Sequence, residues 1–175
     1  KKEILLYQTG LHGTYFGTSY IKIRPDAIID PYTGNPYPRL VAVDPETVRV
    51  KVSPDDMSEV EEYIIEYKCM ENRNGRETEV MHREITKHAK QDTADEAGVE
   101  YTEVEDTWVI EEYEQVGGAP VQLVSSIQWD YEFPPIVHWK NLPSLKSQYG
   151  YSDIEDTVGI QDKSNFVVSN TGKII

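Results

Sequence analysis

The sequence predicts an α+β fold, with a mainly antiparallel sheet built from hairpins over about 18–131 and a helix at each end. Three observations carry this expectation. Ile4, Leu5, Gln8, Leu11, His12 and Tyr15 recur at helical spacing near the start. Residues 20–24 and 48–52 alternate as half-buried strands do, with Val48, Val50 and Val52 on one face and Arg49 and Lys51 on the other. Asn74-Gly75 separates two strand-like runs, and that dipeptide suits a tight hairpin because both positions tolerate positive φ.

The opening helix is expected to end between Gly10 and Gly17, since Gly10, Gly13 and Gly17 each weaken it. Residues 20–24 form a strand, 30–35 (Asp-Pro-Tyr-Thr-Gly-Asn) a turn, and 40–43 and 48–52 further strands. The run 63–70 pairs with a return strand over 76–88, whose many charges predict a position at a sheet edge. Residues 89–106, rich in Asp and Glu, predict an exposed loop or hairpin tip. Residues 108–110 and 121–131 form a second hairpin around Gly117-Gly118. Phe133-Pro134-Pro135 should stop the sheet, because proline has no ladder donor. Ser152-Asp153-Ile154-Glu155 fits a capping box and opens a helix over about 153–165, with Asp153, Glu155 and Asp156 favoured by the helix dipole.

A length of 175 residues suits a single domain, 1–175, large enough to bury a core without staples. The chain begins Lys1-Lys2-Glu3 and ends Lys173-Ile174-Ile175, which reads as a fragment cut from something longer. The lone Cys69 excludes an internal disulfide framework, and the short apolar runs predict no membrane span. The net charge of −14 is concentrated: residues 53–114 hold 20 acidic and 6 basic side chains, and the rest of the chain is balanced. A solvated sheet face is its plainest role. The absence of a basic stripe argues against tight sequence-independent binding to nucleic acid, which depends on Lys and Arg displacing counterions.

No phosphate loop, dinucleotide fingerprint, His-Glu-x-x-His pair or nucleophile elbow occurs, and no enzyme activity, cofactor or metal site is expected. His82 and His88 could share a strand face, yet six residues of strand separate them by about 20 Å, too far to chelate one ion. His12 and His138 fall on other elements. Cys69 reads as a small core residue, because its acidic surroundings would not favour a thiolate. Twelve tyrosines and the tryptophans Trp108, Trp129 and Trp139 leave open a second class, a β-rich module that binds carbohydrate or protein on aromatic platforms.

The late region, Pro134-Pro135-Ile136-Val137-His138-Trp139, then Asn141, then Gly150-Tyr151-Ser152-Asp153-Ile154-Glu155, resembles the portal proteins of tailed bacteriophages. Phe16-Gly17-Thr18-Ser19-Tyr20 is similar to that family's link from helix to strand, and Val43-Asp44-Pro45-Glu46-Thr47-Val48 to its turn before a strand. Gln161-Asp162 with Asn165 continues the similarity. The long tunnel-lining helices of a whole portal are missing, so the resemblance implies most of the peripheral β-rich wing region. It further implies a structural subunit of a homo-oligomeric ring, usually twelve-fold, at one capsid vertex. Double-stranded DNA would pass through without tight binding during packaging and ejection, while the packaging ATPase, neck and tail proteins and capsid protein would be partners. Such a protein belongs to the virion and is assembled in the cytoplasm of the infected bacterial host. Structural roles at Gly17, Asp44, Pro45, Pro135, His138, Asn141, Gly150, Ser152, Asp153 and Glu155 follow from the same resemblance.

Overall fold

The β-rich middle of the chain makes two antiparallel sheets that face each other, and the fold is α+β. The computed structural model describes residues 2–29, 32, 34, 36–73, 75–94, 100–144 and 147–171. Helix α1 (Lys2–Phe16) leads into β1 (Thr18–Ile29) and β2 (Pro36–Val43). A 3-10 turn (Pro45–Thr47) passes the chain to β3 (Val48–Val52), β4 (Val60–Arg73), β5 (Arg76–Ala94), β6 (Glu100–Val116) and β7 (Gln122–Trp129). Strand β8 (Ile136–Lys140) and helix α2 (Glu155–Thr171) follow. The small sheet has the order β2-β1-β8 and the large sheet β3-β4-β5-β6-β7.

The core lies between the sheets. Tyr20 and Ile136 from the small sheet meet Val48, Val50, Tyr63, Ile65 and Trp108 from the large one. Burying a side chain of this size is worth about 1.5–3 kcal/mol, so the apolar alternation read in β3 is what glues the layers. Arg49 and Lys51 point outward and meet Glu66 at 3.2 Å and Glu61 at 3.2 Å. Trp108 is buried and donates its indole N–H to the Glu132 carbonyl at 3.1 Å, which makes it a core residue rather than a platform.

Several expectations need correction. The charged return strand, β5, is the central strand of the large sheet and not an edge. Its charges have partners across the ladder: Arg83 meets Glu66 of β4 at 2.6 Å, and Lys87 meets Glu111 of β6 at 2.9 Å. Paired charges satisfy an interior strand as well as they discourage pairing at an edge. Of the two readings of 89–106, the hairpin agrees and the loop does not: β5 runs to Ala94 and β6 starts at Glu100, paired antiparallel to that point, with 95–99 outside the described residues. The large sheet does end before Phe133-Pro134-Pro135, at Trp129, but strand structure resumes after them: the Pro135 carbonyl accepts from the Ile23 amide at 2.7 Å and the chain enters the small sheet as β8.

At the turns, Gly75 has φ +79° as the hairpin reading requires, while Asn74 lies outside the described residues. Of the turn at 30–35 only Tyr32 and Gly34 are described, so Asp30, Pro31, Thr33 and Asn35 lie outside. Helix α1 runs unbroken through Gly10 and Gly13 and ends at Phe16. Its half-buried and buried positions are Leu5, Thr9, His12, Gly13 and Thr14, whereas Ile4, Leu11 and Tyr15 of the expected stripe are exposed. Gly13 turns that face inward: a Cβ there would overlap the Trp139 ring of β8. Helix α2 extends six residues past the expected 165 and buries no residue.

Candidate functional site

The residues singled out from sequence sit where the chain changes layer. Asp44 and Pro45 carry it from the small sheet to the large one. The Asp44 carboxylate accepts from the Glu46 amide at 3.0 Å, and Pro45, preset for the first turn position, is buried. Pro135 carries the chain back to the small sheet, and it too is buried. The others gather at the end of α1.

Gly17 closes α1 in the left-handed region, φ +73°, with its N–H on the Gly13 carbonyl at 2.9 Å, an αL cap. Distant residues satisfy what the cap leaves. The Thr14 carbonyl accepts from the Asp153 amide at 3.1 Å and from the Ser152 hydroxyl at 2.8 Å. The Gly17 carbonyl accepts from the Asn141 amide at 2.9 Å, and the Asn141 side chain donates to the Asp153 carboxylate at 2.8 Å. A Cβ on Gly150 would overlap the carbonyls of both Asn141 and Gly17. One on Gly17 would meet the Gly150 backbone. Thus Gly17, Asn141, Gly150, Ser152 and Asp153, up to 136 positions apart (17 to 153), form one backbone-on-backbone junction.

Ser152 is not the capping-box residue of α2. Its Oγ accepts from the Ile154 amide at 3.2 Å, one residue short of the box geometry, because the same hydroxyl is engaged on Thr14. Glu155 is the first residue of α2 and is exposed, in the dipole-favoured first turn.

His138 stands beside the junction. Its Nε2 shares a hydrogen bond with the Thr18 hydroxyl at 2.8 Å, and its ring stacks on Tyr20 with centroids 4.6 Å apart. Burial, with a smaller push from Lys140, lowers its pKa to about 4. Burial likewise pushes the Tyr63 phenol up to about 12. His138 is therefore a neutral ring in the core wall near neutral pH, which suits packing.

A cleft of about 490 Å³ opens beside the core, between the end of β2 and the inner face of β4, β5 and β6, lined by Val41, Val43, Tyr67, His82, Glu84 and Glu114 among others. Lys22 reaches from the small sheet to Glu84 of the large one, an ion pair whose side chains are only 14% and 13% exposed. At the edge of the cleft, the same face of β4–β6 brings Cys69 and Glu71 beside the cleft residues His82 and Glu114. Burial and the neighbouring Glu71 carboxylate push the Cys69 thiol up, while Arg73 and His82 hold the Glu71 carboxyl low. His82 and His88 do share β5, but they serve different neighbours: His82 stacks on Tyr67 and His88 packs at a tilt against Trp108, with centroids 5.2 and 3.8 Å apart.

Sequence reasoning missed Thr14, Thr18 and Tyr149, whose hydroxyl accepts from the Val50 amide of edge strand β3 at 3.4 Å. It also missed the Cys69–His82 neighbourhood. No motif spacing carries either group, since each depends on strand register. Among the described residues, no helix is long and apolar enough to cross a membrane. No family model matches the chain, and no curated protein matches it.

Proposed function

We propose that this chain is part of a structural subunit of a ring-forming phage portal, corresponding to the wing region, and that its work is to hold a shape rather than to turn over a substrate. The observation that carries this reading is the convergence at the end of α1. Three separated stretches that resemble the family supply Gly17, then Asn141, and then Gly150, Ser152 and Asp153, and they pack on one another through backbone contacts that only glycine permits. Such a junction fixes the direction in which each helix leaves the β body. Both helices leave it carrying exposed apolar residues, Tyr7 and Tyr15 on α1 and Ile160, Phe166 and Val168 on α2. Apolar side chains presented this way suit neighbouring subunits in an assembly.

The reading implies a longer parent protein that closes into a ring through two different complementary faces, with the 175 residues alone monomeric or weakly associated. Native mass measurement and negative-stain imaging test both halves. A monomeric parent at high concentration would overturn the portal reading, and a stable ring from the 175 residues alone would overturn the requirement for the rest. DNA slides through such a ring, so the chain should not bind duplex DNA at physiological salt. Micromolar binding that weakens steeply with salt would contradict this.

Exposed Tyr131 and Phe133, clustered with half-buried Trp129 at ring centroids 5.0–6.2 Å apart, favour a second reading as an aromatic platform of a binding module. Retention on immobilised oligosaccharides that is lost in Tyr131→Ala would support it over the portal.

A further inference from the structure

Ligand-type atoms from two neighbouring strands converge at the β4–β5 end of the large sheet. Cys69 and Glu71 are two residues apart on β4 and so share a face. The register places Tyr67 opposite His82 and Cys69 opposite Val80, which sets His82 diagonally beside Cys69 on that same face. Cys69 Sγ, a Glu71 carboxylate oxygen and a His82 ring nitrogen all lie within 4.8 Å of one another. His82 Nε2 is 2.8 Å from Glu71 Oε1, and Cys69 Sγ is 3.7 Å from the same oxygen. Ligand atoms around a tetrahedral zinc ion, at 2.0–2.3 Å from the metal, stand about 3.5 Å from one another. The two separations from Glu71 Oε1 bracket that spacing.

We propose that Cys69, Glu71 and His82 form a binding site for a divalent transition-metal cation of the zinc type, with Glu114 as the positioning residue behind the histidine. The surroundings are those such a site needs. Ligating histidines generally donate their second ring N–H to a carboxylate, which fixes the tautomer. With Nε2 turned to the ion, Nδ1 faces Glu114 Oε1 at 3.6 Å. Glu71 would bind through Oε1, because its Oε2 is already held by Arg73 at 2.9 Å. Arg73 also ties Glu114 at 2.7 Å, so the guanidinium braces both carboxylates without occupying the oxygen that faces the cysteine and histidine. Tyr67, stacked on His82 at an interplanar angle of 22°, sets the plane of the ring. A thiolate and a carboxylate offset the two charges of the ion, while Arg73 and Glu114 offset each other. Binding displaces the thiol proton into solvent and leaves the fourth position of a tetrahedron to water. The mixed sulfur, nitrogen and oxygen set suits zinc or cobalt(II) over magnesium or calcium, which prefer oxygen alone.

Cobalt(II) is the probe, added to the full chain in excess magnesium so that the many surface carboxylates are occupied. Because Cys69 is the only cysteine, any thiolate-to-cobalt charge-transfer band reports this site. One cobalt per chain with that band, and its displacement by one equivalent of zinc, is the expected result. His82→Gln should weaken binding by at least about tenfold and Glu114→Gln by about 10–100-fold, with the band retained at saturation in the second variant. Far-UV circular dichroism checks that the variants fold. If His82→Gln fails that check, Glu114→Gln and Glu71→Gln carry the test. Cobalt bound without a thiolate band, or a band of unchanged affinity in the folded variants, overturns the site.

Discussion

Two stretches of one sheet face differ in composition, although the strands run through both without a break. Under the small sheet, the inner face of β3–β6 presents Val48, Val50, Tyr63, Ile65, Thr86 and Trp108, all buried. A few positions along β4, β5 and β6, past the edge of that cover, the same face presents Cys69, Glu71, His82 and Glu114. Backbone pairing is equally regular in both stretches, so hydrogen bonding does not distinguish them. The cover does. Where a second sheet removes water, apolar side chains gain about 25 cal/mol per Å² buried. Where water reaches the face, polar groups keep their solvation and can pair with one another or with an ion. Lys22–Glu84 marks the border, a half-sequestered ion pair between the layers.

Substitutions can break or sharpen that contrast. The largest effect is expected at the junction that holds the cover in place. Gly150→Ala would drive a methyl group into the Asn141 and Gly17 carbonyls, and it should cost about 3–5 kcal/mol by denaturant titration. A change below about 1 kcal/mol would mean the junction relaxes freely. Next come the two isoleucines. Ile136, 2% exposed, should cost about 2–4 kcal/mol as Ile136→Ala, whereas Ile160, 64% exposed on α2, should change stability by less than about 0.5 kcal/mol as Ile160→Ala. Equal costs would show that α2 packs on the body after all.

His138 tests the covered region by pH. Its folded pKa of about 4 lies below the unfolded value of about 6.5, so the unfolded chain takes up the proton first as pH falls. Stability owed to the neutral ring is complete above about pH 6.5 and is lost as pH falls toward 4. Allowing for partial solvent screening, the loss is on the order of 1–3 kcal/mol. His138→Asn should flatten that part of the profile, and an unchanged slope would place the ring in contact with water. Ser152→Ala, which removes the bonds to Thr14 and Ile154, should cost about 0.5–2 kcal/mol, seen as a shifted midpoint at constant slope.

Several elements were legible because their signals are local. Val48–Val52 has a clean period of two, and its valines face the core. Gly75 and Gly117 both take positive φ at hairpin turns. In the acid-rich 89–106, charge density does not separate a loop from a hairpin, and the strand pairing there comes from β5 and β6 extending each other. The edge assignment of β5 failed for a related reason: Arg83 and Lys87 look unpaired in one dimension and are paired across strands. The candidate site was legible residue by residue at Gly17, Asn141, Gly150 and Ser152, but not that they touch.

The sequence by itself determined the hairpins, the glycine and proline breaks, the helical ends and the concentration of acid in 53–114, because these follow from backbone preference and period over a few residues. Only the tertiary structure decided that the strands divide into two facing sheets, that β5 is central, that one face is dry at Trp108 and wet at His82, and that residue 17 meets residue 150. Those outcomes depend on register and on which surface excludes water, and both are set by contacts between residues far apart in the chain.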